Sequence, residues 1–171
     1  MRLFQEHLDS ECARLAENGV RLSVIGRRDR IPATLKHRIA HVEERTGGGT
    51  ALHLRVAIDY SAREALVAAA GRLAEMVPAT RQPPTHEAFE RTLSQVIHAP
   101  CGTRAVDLLI RTGGEKRLSD FLLWESAYAE LFFTDVLWPD FDEADLASAV
   151  QAFGARDRRY GGLSVRRAQL P

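Results

Sequence analysis

Cysteine is scarce in this chain. Only Cys12 and Cys101 occur in 171 residues, with neither metal-ligand spacing nor a disulfide framework. That points to a reduced, cytoplasmic setting. Long apolar runs are missing too, and nothing approaches the roughly 18 residues of a membrane span. No signal peptide is read at the start, because Met1-Arg2 leads straight into an amphipathic pattern holding Glu6 and Asp9. Net charge is also lacking. The 23 basic and 23 acidic side chains sum to +0, which leaves no global field to draw the chain to nucleic acid or to a membrane. Its arginines are not interleaved with aromatics, so no nucleic-acid partner is expected.

What is present is an ordinary globular composition, 45% hydrophobic and 27% charged. The length favours one domain, 1–171, with a real core. Lys36 and Lys116 stand against 21 arginines. Codon usage gives such a bias, and so does bidentate phosphate binding; only position separates the two. From Leu118 to Ala155 there are eight acids and no Lys or Arg, whereas residues 156–171 form a basic tail with Arg156, Arg158, Arg159, Arg166 and Arg167.

The patterning alternates. Leu3, Phe4, Leu8, Cys12 and Leu15 recur at helical spacing and stop at Asn18-Gly19. "VRLSVIG" (20–26) reads as a strand. Pro32 opens a helix that buries Leu35, Ile39 and Val42, which leaves His37 and His41 facing solvent rather than a metal. "ALHLRVAIDY" (51–60) is the next strand, and Ser61 caps a helix over 62–77. After a loop at 78–84, Thr85 starts another helix. "VDLLIR" (106–111) reads as a strand buried on both faces. A short helix over 120–128, a strand at 131–134 and a last helix capped by Asp142 and Asp145 complete the chain. The expected class is α/β, a mainly parallel sheet flanked by helices.

The segment "LLIRTGGEKRLSDFLLWESAYAELFFTDVLWPDF" carries the chemistry. Ligands of open α/β sheets bind beyond the carboxyl ends of strands, and Arg111 ends one. Gly113-Gly114 permits close backbone approach. Arg117 follows, then Ser119 at the expected start of a helix, whose free N–H groups favour anions. A phosphate or diphosphate fits this set. The alternative is an arginine–carboxylate network using Glu115, Asp120 or Asp107. Glu130, amid apolar residues, suits either a helix-end ion pair or a Mg²⁺ ligand, because Mg²⁺ on phosphates takes only one or two carboxylates.

This segment resembles the C-terminal signature of the cis-prenyltransferases, the undecaprenyl diphosphate synthase family. "GVRLSVIGRRDRIP", "LHLRVAIDYSAREAL" and "FGARDRRYGG" extend the likeness over nearly the whole chain. The resemblance implies condensation of isopentenyl diphosphate with an allylic diphosphate, in cis geometry, with Mg²⁺. It implies that Arg111, Arg117, Leu118 and Ser119 bind isopentenyl diphosphate. Glu130 then becomes the second metal carboxylate, and Arg159 reaches the diphosphate across a homodimer. The apolar residues around Phe121–Tyr128 would pack that dimer, and a lipid product implies transient contact with a membrane surface.

Two departures stand out. Asp59-Tyr60-Ser61-Ala62-Arg63 replaces the Asn-Tyr-Gly-Gly-Arg of many members. The family's Asp-Gly-Asn-x-x-Arg and Phe-Ser-x-x-Asn-Trp motifs, which carry the catalytic aspartate and asparagine, do not occur in these 171 residues. The chain is therefore expected to be a domain incomplete at its N-terminus, carrying the isopentenyl diphosphate half-site. The alternatives are a non-catalytic partner subunit or an inactive fragment.

Overall fold

The computed structural model describes residues 2–80, 83–100, 102 and 104–155. Their order is α1 (Arg2–Glu17), β1 (Val20–Ile25), α2 (Ala33–Arg45), β2 (Leu52–Ala57), α3 (Ala62–Thr80), α4 (His86–Val96), β3 (Leu108–Arg111), β4 (Glu130–Phe133) and α5 (Glu143–Gly154), with a 3-10 turn at Trp138–Asp140 before α5. The described residues fall into two compact units. One runs to Ala105 and includes Leu118–Ala127; the other holds Val106–Arg117 and the chain from Tyr128 onward.

In the first unit β1 and β2 pair in parallel, with Val20 opposite Leu52 and Ile25 opposite Ala57. β1 is buried on both sides, as a parallel strand between helices should be. Leu22 and Val24 join Leu8, Cys12, Leu35, Ile39 and Val42 in one apolar cluster with α1 and α2. Ile25 belongs to a second cluster with Ala65 and Ala69 of α3 and Leu93 and Ile97 at α4. Helices therefore cover both faces of β1, whereas Leu52 and Leu54 of β2 stay exposed. His37 and His41 are exposed, as their spacing from the buried stripe requires.

Among the described residues, the outer edge of β1 meets side chains rather than another strand. The Leu22 N–H donates to Thr46 Oγ1 at 3.1 Å and the Val24 N–H to Glu43 Oε1 at 2.9 Å. Arg28 donates to the Val24 carbonyl at 2.9 Å and to Glu43 Oε1 at 2.7 Å. Covering an open edge in this way removes a template for aggregation. At the carboxyl end of β1, Gly26 (φ +111°) runs so near β2 that a Cβ would lie 2.1 Å from the Ile58 carbonyl oxygen; only glycine fits there.

The local signals hold at the helix starts. Ser61 Oγ accepts the Glu64 N–H, Thr85 Oγ1 accepts the Ala88 N–H, and Asp142 and Asp145 form a reciprocal capping box. α3 runs on to Thr80, through Pro78, where a loop was expected from residue 78.

Two further expectations fail. No helix spans residues 120–128, which form turns. Ser119 (φ 47°), Asp120 (φ 66°) and Leu122 (φ 47°) adopt left-handed backbone that a helix cannot contain. The reason is tertiary. Asp120 Oδ1 accepts the Arg63 N–H at 2.7 Å, its Oδ2 accepts the Ser61 hydroxyl at 2.6 Å, and its carbonyl takes the Ala62 N–H at 3.1 Å. The segment caps α3 instead of forming a helix of its own. Nor is β3 buried on both faces: of Leu108–Arg111 only Leu109 is buried, and β4 is its one strand partner among the described residues.

Candidate functional site

In the second unit β3 and β4 pair in parallel, Leu108 opposite Glu130 and Arg111 opposite Phe133. The pairing continues past Arg111, whose carbonyl accepts the Thr134 N–H at 3.0 Å. The chain then turns through Gly113 (φ 83°) and Gly114 (φ 78°). Their N–H groups go to the Val136 and Thr134 carbonyls at 2.8 and 2.9 Å. The glycines thus let the turn fold against the chain after β4, where a Cβ on Gly114 would lie 3.1 Å from Asp135 Oδ1. Their amides are therefore not a phosphate cradle.

Arg111 and Arg117 are brought together. Arg111 Nη1 donates to the Arg117 carbonyl, which ties the end of the turn to the end of the strand. The Arg117 guanidinium pairs with Glu115, with the two side chains 64% and 47% exposed. Part of the carboxylate network named as the alternative reading is therefore present. An exposed pair of this kind contributes only ~0–1 kcal/mol, less than the ~1.5–3 kcal/mol of a charge-assisted bond to a phosphate. Asp120 is engaged elsewhere, at the start of α3.

The other predicted site residues are placed differently. Ser119 and Leu118 lie in the first unit, immediately after Arg117 in sequence; Ser119 is exposed and starts no helix, so the expected helix N-terminus does not exist. Glu130 opens β4, and its N–H donates to the Asp107 carbonyl at 2.9 Å. By register it shares a face with Leu108 and Ile110, whereas Arg111 lies on the other face, three residues or about 10 Å along the pair. Arg111 and Glu130 are not gathered at one point of this pair. No group of three possible metal ligands occurs among the described residues. As a single hard carboxylate, Glu130 fits Mg²⁺ only where a phosphate and water complete the coordination. Arg159 lies outside the described residues, as do Cys101 and the rest of the basic tail.

A second charged region went unread in "GRRDR" (26–30), at the carboxyl ends of β1 and β2. Arg27 bonds Asp29 at 2.7 Å and Glu64 at 2.8 Å, and its guanidinium holds the Asp29 carboxyl down to about 2. Arg30 pairs with Asp59 and lowers that carboxyl too. The signal was three arginines straight after a strand, but each has found an acid. Beneath the turns of 118–127, Glu125 is 6% exposed. Burial raises its carboxyl above the ordinary value, with Arg55 opposing and Glu90 adding to the shift.

Parallel strands, helices on both faces of β1, and an arginine-bearing glycine turn at the carboxyl end of β3 define the class: an α/β protein of the parallel type. The sequence narrows it. Residues 1–161 match the family model described as putative undecaprenyl diphosphate synthase, and the chain belongs to that family. It is 53% identical over 165 residues to isoprenyl transferase 1 of Bradyrhizobium diazoefficiens, covering 96% of this chain and 63% of the relative. It is 47% identical over 163 residues to the farnesyl-diphosphate-specific ditrans,polycis-undecaprenyl-diphosphate synthase of Escherichia coli K12, covering 95% and 63%.

Solved structures agree. A probable undecaprenyl diphosphate synthase from Campylobacter jejuni superposes with a TM-score of 0.76 at 33% identity, over 94% of this chain and 72% of that one. Lavandulyl diphosphate synthase from Lavandula x intermedia, in complex with dimethylallyl diphosphate, gives 0.81 at 32% identity, over 94% and 69%. The chain thus spans a little under two thirds of the length of the curated relatives it matches. No helix among the described residues is long and apolar enough to cross a membrane.

Proposed function

We propose that this chain is the isopentenyl-diphosphate-binding part of a cis-prenyltransferase, one that condenses isopentenyl diphosphate with an allylic diphosphate such as farnesyl diphosphate into a polyprenyl diphosphate. The observation that carries the reading is the placement of Arg111 and Arg117 on one turn at the carboxyl end of a parallel strand, in a chain matched by the family model over 1–161. Each guanidinium offers a planar fork to phosphate oxygens. Arg111 is held by its strand, and Arg117 exchanges Glu115 for the ligand. Leu118 and Ser119 continue the site, and Arg159 joins it from a second copy in a homodimer. Mg²⁺ would be held by Glu130 and would neutralise diphosphate charge. Because Glu130 lies at the other end and face of β3–β4 from Arg111, its metal site is completed from outside this strand pair, which a dimer allows. The lipid product would bring the enzyme transiently to a membrane surface.

The residues that activate the allylic substrate are supplied by a segment outside these 171. A second reading, a non-catalytic partner subunit, is favoured by one observation: the Asp-Gly-Asn-x-x-Arg motif does not occur in this sequence. The test is kinetic. In a protein carrying the full activity, Arg117→Ala raises KM for isopentenyl diphosphate roughly ten- to hundredfold and leaves the allylic KM unchanged. A change confined to the allylic KM would defeat the site assignment.

A further inference from the structure

Beyond the outer edge of β1 lies a cavity of about 430 Å³ that no part of the proposed reaction uses. Arg28, Glu43, Arg91, Ser94, Gln95 and His98 supply its polar lining. Three observations single it out. Glu43 Oε1 already accepts from both Val24 and Arg28, so this carboxylate is paired with Arg28, and Arg91 adds a second positive charge to the lining. Arg28 Nε is buried with no acceptor among the described residues, and a buried donor of this kind calls for one. His98 adopts φ 57° at the end of α4, where the Ala99 N–H reaches back to the Ser94 carbonyl at 2.8 Å. Glycine is the usual residue at such a left-handed helix stop. A histidine there accepts backbone strain, and strain of this kind accompanies function. Partial desolvation, with Arg28 and Arg72 nearby and Glu43 opposing, lowers the pKa of His98.

We propose that this cavity binds a small phosphate-bearing anion, held by Arg28, Arg91, Gln95 and His98. Glu43 is the one acid in this lining and its Oε1 already serves two donors, whereas a phosphate presents three or more oxygens to the four donor side chains. The volume lies within the range of small-molecule pockets. Its lining residues belong to the first unit, whereas Arg111 and Arg117 belong to the other.

Inorganic phosphate titrated into the purified chain, read by ³¹P line broadening and calorimetry, tests this. Saturable binding is expected to persist in Arg111→Ala/Arg117→Ala. It should weaken about tenfold or more in His98→Gly and in Arg91→Ala. His98→Gly guards against misfolding as an explanation: glycine takes the left-handed conformation freely, so its melting temperature without phosphate should equal or exceed that of the parent. No saturable binding, or binding abolished by the Arg111/Arg117 pair and untouched by His98→Gly and Arg91→Ala, would overturn the proposal.

Discussion

Replacing Glu43 by alanine should destabilise the first unit far more than an exposed acid's loss would. One carboxylate oxygen serves two donors there, the Val24 N–H at 2.9 Å and Arg28 Nη2 at 2.7 Å. Val24 is 2% exposed, so water cannot readily replace the lost acceptor. Stranding that N–H costs about 1–3 kcal/mol. The ion pair adds little beyond about 1 kcal/mol, because its side chains are 24% and 22% exposed and partly screened. The sum is about 2–4 kcal/mol, or very roughly 5–15 °C in Tm for a domain of this size. Glu43→Gln keeps an acceptor oxygen and should lose only about 1 kcal/mol. Glu44→Ala, at an exposed neighbour, should stay within about 0.5 kcal/mol. Urea unfolding followed by circular dichroism measures all three. Equal effects for Glu43→Ala and Glu44→Ala would refute the account of how the edge of β1 is closed.

Glu125 has a folded-state pKa raised by burial above its ordinary value of 4.5; the folded state holds the proton more tightly, so stability falls as pH rises from that ordinary value through the raised one. Glu125→Gln should flatten this slope and leave the protein more stable than its parent at neutral pH, by chemical denaturation across pH. Gly26→Ala should lower Tm sharply or prevent folding, since its Cβ would meet the Ile58 carbonyl at 2.1 Å; an unchanged melting curve would contradict the β1–β2 approach. Glu130→Gln, in a protein carrying the activity, should raise the Mg²⁺ concentration needed for half-maximal rate while leaving metal-free affinity for isopentenyl diphosphate alone.

What could be read from the sequence was local or periodic. Ser61, Thr85 and Asp142 act on donors two or three residues away, and the buried stripe Leu35, Ile39, Val42 follows the helical period. Contacts across long separations were not readable. Glu43 and Thr46 close an edge 19 and 24 residues distant, and Asp120 caps a helix 57 residues earlier, which overrides the helix that the apolar run around Phe121 implied. The site divides the same way. Arg111 and Arg117 were legible because a strand end and a glycine turn fix them locally. The place of Glu130 depends on the register of a parallel pair, which no residue pattern specifies.

The central claim is that these residues hold one substrate of a cis-prenyltransferase and that another segment activates the other. The purified chain, incubated with Mg²⁺, farnesyl diphosphate and radiolabelled isopentenyl diphosphate, should bind the label saturably yet form negligible long-chain product. Joined to the portion of Bradyrhizobium isoprenyl transferase 1 that it does not match, it should synthesise polyprenyl diphosphate. Long-chain product at ordinary rates from the 171 residues alone, or no binding of isopentenyl diphosphate at all, would contradict the account.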